Sequence, residues 1–130
     1  MSFNDKTFYD HLGKSEKVTV AKFYNDSCYL CEAVKPVFQT VSQKYDELCD
    51  FIDVPASKGA REIFKKYSPT GVPTIVVFQP GSVIGQEIPW LPDREYQKFG
   101  GHPEAQISEY VEAALREMVR EHLKKVLDNQ

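Results

Sequence analysis

Cys28 and Cys31, in the run Ser27-Cys28-Tyr29-Leu30-Cys31, are the residues whose type and spacing best suit chemistry. A thiolate is a nucleophile toward disulfides, and a second thiol one helical turn further on can close a disulfide with it. Such a pair can cycle. Cys28 attacks a substrate disulfide, a mixed disulfide forms, and Cys31 displaces the reduced substrate. The location strengthens the motif, because the pair falls where a buried strand passes into a helix. A helix N-terminus offers unpaired N–H groups and the positive end of the dipole, both of which stabilise a thiolate. Cys28 is thereby placed to ionise below the roughly 8.5 of a free thiol. Two plainer readings compete. Two cysteines can simply fill core space, or they can hold a metal. Zinc wants four ligands, however, and there is no second C-x-x-C, while His11, His102 and His122 are scattered. The odd third cysteine, Cys49, leaves at least one thiol free.

The elements that must position this pair can be read from pattern. Asn4 to Leu12, with Phe8 and Leu12 on one side, suits a short helix ending at Gly13. Residues 17–24, KVTVAKFY, are β-branched and aromatic except for Lys22, as in a strand buried on both faces. From Cys31 onward Val34, Val37, Phe38, Val41, Tyr45 and Leu48 recur at helical steps, giving about five turns with a kink at Pro36. A strand over 49–54 follows, then a helix with Ala60, Ile63, Phe64 and Tyr67 on one face, then a strand from Pro73 to Phe78.

Residues 83–94 are too interrupted for a strand and read as a loop or insertion carrying Trp90, with an edge strand expected over Glu95–Phe99. Beyond Gly100-Gly101, Pro103 opens the last helix, whose stripe runs from Ile107 to Leu127 with Glu112/Arg116 on the wet side. At roughly 37 Å it is longer than a small sheet is wide, so the part after Val119 is expected to overhang the core. It either caps its own domain or forms a homodimer contact. Helices alternating with strands make an α/β fold with a mixed sheet. Its strand-to-helix crossovers are right-handed.

Composition bounds the rest. The 130 residues fit one domain spanning 1–130. The net charge of −3 comes from 19 acidic and 16 basic residues without a block of like charge, which argues against nucleic acid as a partner. No apolar run reaches the roughly 20 residues of a membrane span, and the N-terminus lacks a signal-peptide pattern. A cytoplasmic protein is expected.

Taken together, VTVAKFY running into Cys28-Tyr29-Leu30-Cys31, Pro36 five residues after the second cysteine, and Gly71-Val72-Pro73-Thr74 opening a later strand resemble the thioredoxin family over roughly residues 3 to 118. The resemblance implies a three-layer α/β/α sandwich with a mixed central sheet and a long C-terminal helix. It implies that Pro73 is cis and lies against the cysteines, and that the Val72 backbone pairs with an extended substrate segment. Cys49 and Trp90 then belong at the far end of the sheet, Cys49 as a small core residue.

This chain also departs from the family. Ser27 replaces a Trp, and Tyr29-Leu30 replaces Gly-Pro, which leaves the redox potential open and adds apolar surface beside the nucleophile. Lys22 stands where the family has a buried Asp that assists proton transfer. A buried ammonium must be neutral, reach solvent or pair, and Asp53 on the neighbouring strand is a candidate partner. Lys22 is a candidate to lower the pKa of Cys31 or to shuttle its proton. Alternatively its stem packs and its amine escapes to water.

By resemblance the chain is a thiol–disulfide oxidoreductase with Cys28 as nucleophile, Cys31 as resolving thiol, and Tyr29, Leu30, Val72 and Pro73 as the substrate dock. It needs no bound cofactor, acts on protein disulfides and receives electrons from a reductase using NADPH. The alternatives are a binding module on the same fold, with weak or no turnover, or a redox sensor.

Overall fold

The computed structural model describes residues 3–88 and 103–129, with the side chains of 29 and 103–107 left out. Its framework is β1 (Val18–Tyr24), the seven-residue strand from which the rest is built. Alternate side chains of a strand face opposite ways, so β1 serves two cores at once. Val18 and Val20 enter one core and Ala21 and Phe23 the other. β2 (Cys49–Pro55) pairs parallel to β1, and β3 (Thr74–Phe78) pairs antiparallel on its other side. β4 (Gly85–Glu87) completes a sheet of order β2-β1-β3-β4.

One face is covered by α2 (Tyr29–Tyr45) and α4 (Pro103–Asp128), whose Val34, Phe38, Val41, Val111, Leu115 and Val119 meet Ile75 and Val77 of β3. The other face is covered by α1 (Asp5–Lys14) and α3 (Arg61–Tyr67), preceded by a 3-10 turn over Lys58–Ala60. This second core is aromatic. Phe8, Phe23, Tyr67 and Phe78 contact one another with centroids 5.2–6.0 Å apart, mostly edge to face. Helices on both faces of a mixed sheet make the three-layer α/β/α sandwich.

Local chemistry sets the helix ends. Asn4 and Thr7 form a reciprocal cap on α1. Asp5 also accepts from Ile63 N–H at 2.9 Å, tying the starts of α1 and α3 together. Gly13 does not stop α1, which continues to Lys14. α2 begins two residues before Cys31, because Cys28 serves as its N-cap, and it runs through Pro36. It ends at Tyr45 rather than at Leu48. Leu48 lies in the turn closed by its N–H on Tyr45 O and is 56% exposed, so it is not a core position.

Two expectations about the second half are corrected. Within 83–94, residues 85–87 form β4, the last strand of the sheet among the described residues, with Gly85 opposite Phe78. Gly-Gln-Glu carries neither β-branched residues nor apolar alternation, so tertiary pairing decides it. A Cβ at Gly85 would lie 2.3 Å from Val76 Cγ1 and 2.6 Å from Phe78 Cε1, so this strand needs glycine to approach β3. Trp90 and the expected edge strand Glu95–Phe99 lie outside the described residues.

The end of α4 does not overhang. Beyond Val119, Leu123 and Val126 pack on the core, leaving Leu127 exposed. His122 is buried between Gln79 Nε2, 2.7 Å from its Nδ1, and Gln86 Oε1, 3.0 Å from its Nε2. These bonds fasten α4 to β4 and to the end of β3. The ion pair of Glu112 with Arg116 is formed at 2.8 Å.

Candidate active site

The site is assembled at the end of the sheet where β1 runs out. Beyond Tyr24, Asn25 Oδ1 accepts from both the N–H and the hydroxyl of Ser27, each at 3.0 Å, and Cys28 N–H donates to Asn25 O at 3.2 Å. This Asx-turn delivers Cys28 to the start of α2. Cys28 adopts extended backbone, and its Sγ accepts from Cys31 N–H at 3.1 Å. The half-buried sulfur thus takes up an N–H group that the first turn leaves unpaired, where the helix dipole favours negative charge.

Cys31 lies one turn further in and is buried. Burial pushes its pKa up to about 12, helped by the hydrogen bond with Cys28 and the charge Cys28 can carry. The Asn25 backbone and the Lys22 ammonium pull the other way. All three cysteines are free thiols. The geometry therefore separates the pair into an accessible sulfur held by a helix N-terminus and a protonated thiol behind it.

Lys22 reaches the α2 face of β1, where its Nζ is 3.0 Å from Asp53 Oδ1 and 4.8 Å from the centroid of Phe38. Lys22 and Asp53 are direct neighbours in the parallel β1–β2 register. The partners differ in exposure, with 7% of the lysine side chain accessible against 57% for the aspartate. Pairing, with the carboxylate at the water's edge, is how the buried ammonium is accommodated.

Across from the cysteines, Val72 carbonyl oxygen lies 3.8 Å from Cys28 Sγ. The Val72–Pro73 peptide is cis, and Gly71 has φ 120°, a backbone region that favours glycine. Pro73 is buried and Val72 half-buried. Of the two residues between the cysteines, Leu30 packs against the α2/α4 core, so part of its side chain is not available to a partner. The side chain of Tyr29 lies outside the described residues.

The structure thus brings together Cys28, Cys31, Val72 and Pro73, with Lys22 and Asp53 behind them. Sequence reasoning passed over Asn25 and the hydroxyls of Ser68 and Thr74, which hold the Gly71 carbonyl. The run Asn25-Asp26-Ser27 directly after a strand carries an Asx-turn signal that identifies the first. For the other two, the Ser68-Pro69-Thr70-Gly71 turn is readable, but which hydroxyl meets which carbonyl is a matter of folding.

Comparison with known proteins agrees with this fold. The family model described as Thioredoxin matches residues 1–99. The thioredoxin of Mycoplasmoides gallisepticum is 29% identical over 95 residues, covering 73% of this chain and 93% of that protein. The mitochondrial thioredoxin-2 of Schizosaccharomyces pombe is 32% identical over 94 residues, covering 69% of this chain and 67% of the relative. Among solved structures, Chlamydomonas reinhardtii thioredoxin f2 superposes with a TM-score of 0.56 at 22% identity, over 66% of this chain and 81% of that one. Such membership supports thiol–disulfide oxidoreductase chemistry in general. With the family model matching residues 1–99 and a thioredoxin relative 32% identical over 69% of the chain, the chain belongs to the thioredoxin family.

Proposed function

We propose that this protein is a thiol–disulfide oxidoreductase acting on protein disulfides through Cys28 and Cys31. The observation that carries the reading is the N-cap position of Cys28, with Cys31 N–H 3.1 Å from its sulfur and the second thiol buried one turn behind. In the cycle, the Cys28 thiolate attacks one sulfur of a substrate disulfide. The substrate S–S bond breaks, a mixed disulfide forms, and the departing sulfur takes a proton. Cys31 then gives up its proton and attacks Cys28 Sγ, the mixed disulfide breaks, and the substrate leaves with two electrons. Cys28 and Cys31 remain as a disulfide, to be reduced again by an electron donor, by analogy a reductase using NADPH. The cytoplasm is a compartment reducing enough for this cycle.

In this reading Lys22, paired with Asp53, lowers the cost of forming the Cys31 thiolate, as its charge pulls that pKa down. The Val72–Pro73 segment, with Tyr29 and Leu30, receives the substrate backbone. A second reading, a binding module with weak turnover, is favoured by the burial of Cys31, which disfavours its thiolate and so slows attack on a mixed disulfide.

Trapping separates the two. A Cys31→Ser variant mixed with a disulfide-bonded protein accumulates a mixed disulfide at Cys28, whereas the wild type under the same conditions releases reduced substrate. Persistence of the mixed disulfide in the wild type as well favours the binding module, and failure to form one in the variant removes Cys28 as nucleophile.

A further inference from the structure

The peptide segment facing Cys28 is held by two buried hydroxyls to which no part of the cysteine chemistry gives a role. Ser68 Oγ is 2.7 Å from Gly71 O and 2.9 Å from Thr74 Oγ1, and Thr74 Oγ1 is itself 2.7 Å from Gly71 O. Ser68 is 7% exposed and Thr74 1%. Each hydroxyl has one proton to give, and a carbonyl oxygen has two lone pairs. At least one of the two hydroxyls therefore donates to Gly71 O, and the other gives its proton to the same oxygen or to its neighbouring hydroxyl. In either case the carbonyl is satisfied within the protein.

The clamp is anchored on both sides. Ser68 N–H donates to Phe64 O at 2.8 Å, which fixes it to the end of α3, and Gly71 N–H returns a bond to Ser68 O at 3.3 Å. Thr74 is the first residue of β3 and pairs with Phe23 of β1. Between these anchors the chain passes through Gly71, the residue type with the widest backbone freedom. The two hydroxyls thus add to the main-chain bond of Gly71 N–H on Ser68 O in fixing the peptide that leads into Val72.

We infer that Ser68 and Thr74 are positioning residues whose shared grip on the Gly71 carbonyl pre-aims the Val72 backbone for docking of a protein substrate. The inference rests on the oxidoreductase reading and sharpens it. Main-chain docking of an extended segment is strongest when the receiving strip is ordered before the partner arrives, because binding then does not have to order it. A small disulfide has no peptide backbone to dock and needs only the sulfur of Cys28. The clamp therefore discriminates between substrate classes.

The test compares Ser68→Ala and Thr74→Val with Thr74→Ser, which keeps the hydroxyl. KM and kcat are measured on disulfide-bonded insulin, with the rate on a small aromatic disulfide alongside, and amide hydrogen exchange is followed at residues 70–72. In Ser68→Ala and Thr74→Val the insulin KM rises about fivefold, the equivalent of one ordinary hydrogen bond, and exchange quickens by a similar factor. The small-disulfide rate and insulin kcat stay within about twofold, and Thr74→Ser behaves as wild type. Equal loss on both substrates, or unchanged loop exchange and KM in active variants, overturns the clamp while leaving the oxidoreductase reading intact. If the wild type turns over neither substrate, the oxidoreductase reading fails and takes the docking role with it.

Discussion

Cys28 and Cys49 flank the same helix, and their fates are opposite. Cys28 caps the N-terminus of α2, where its sulfur meets an N–H group and the positive end of the dipole. Cys49 opens β2 shortly after α2 has ended at Tyr45, on the side where helix carbonyls and a neighbouring carboxylate gather. It is buried, and burial followed by the charge of Asp50 pushes its pKa up to about 11, against a smaller pull from Lys17. The same functional group is half-exposed at one end of the helix and buried at the other. Helix direction and burial, more than residue type, decide which thiol can do chemistry.

Exchanging the two cysteines for serine should break the comparison most sharply. Cys28→Ser should lower turnover of a protein disulfide by at least about a hundredfold, since the nucleophile is gone. Cys49→Ser should leave turnover within about twofold but cost about 1–3 kcal/mol in urea unfolding, because a hydroxyl is buried in an apolar core. Comparable losses of activity in both variants would erase the distinction between the two ends.

A second effect is set by pH. Burial, the largest cause raising the Cys31 pKa, persists once Cys28 is tied up in a mixed disulfide, so Cys31 stays mostly protonated at neutrality and release should speed up as pH rises from 7 to 9. Stopped-flow measurement of product release checks this, and a rate flat with pH would show that the Cys31 proton does not limit release. Stability follows the same groups. The folded pKa values of Cys31 and Cys49 lie above 9.0, so the stability tied to their neutral thiols is complete below pH 9 and is lost as pH rises through about 11 to 12.

The smallest expected effect concerns Lys22. Replacing it as Lys22→Met removes the cation that eases ionisation of Cys31, so release should slow by about two- to fivefold. Folding stability should change little, because Asp53 is mostly exposed and can hydrate once its partner is gone. A release rate unchanged by Lys22→Met would confine the ion pair to a structural role.

Much of this was legible in the sequence because the signals were local. The apolar run of β1, the helical stripes of α2 and α4, and Cys28 at a strand-to-helix junction each follow from spacing alone. The pairing of Lys22 with Asp53 was foreseeable once a buried charge was seen to need a partner on an adjacent strand. What escaped depends on contacts between distant segments. β4 is written in residues that favour no strand and exists because Gly85 lets it close on Val76 and Phe78. The end of α4 is held by His122, Gln79 and Gln86, polar residues brought together from α4, the turn after β3 and β4. Leu48 fits the stripe of α2, yet the helix stops before reaching it.

In the proposed chemistry Cys28 and Cys31 form a reversible disulfide from which Cys49 is excluded. Its most direct test is to equilibrate the protein with defined glutathione or dithiothreitol buffers and to map alkylated thiols by mass spectrometry. Cys28 and Cys31 should lose reactivity together in a single two-electron transition while Cys49 stays a thiol throughout. A midpoint near roughly −270 mV marks a reductant, and one between about −180 and −120 mV an isomerase or oxidant. Absence of a Cys28–Cys31 disulfide at every poise, or a disulfide that includes Cys49, would contradict it.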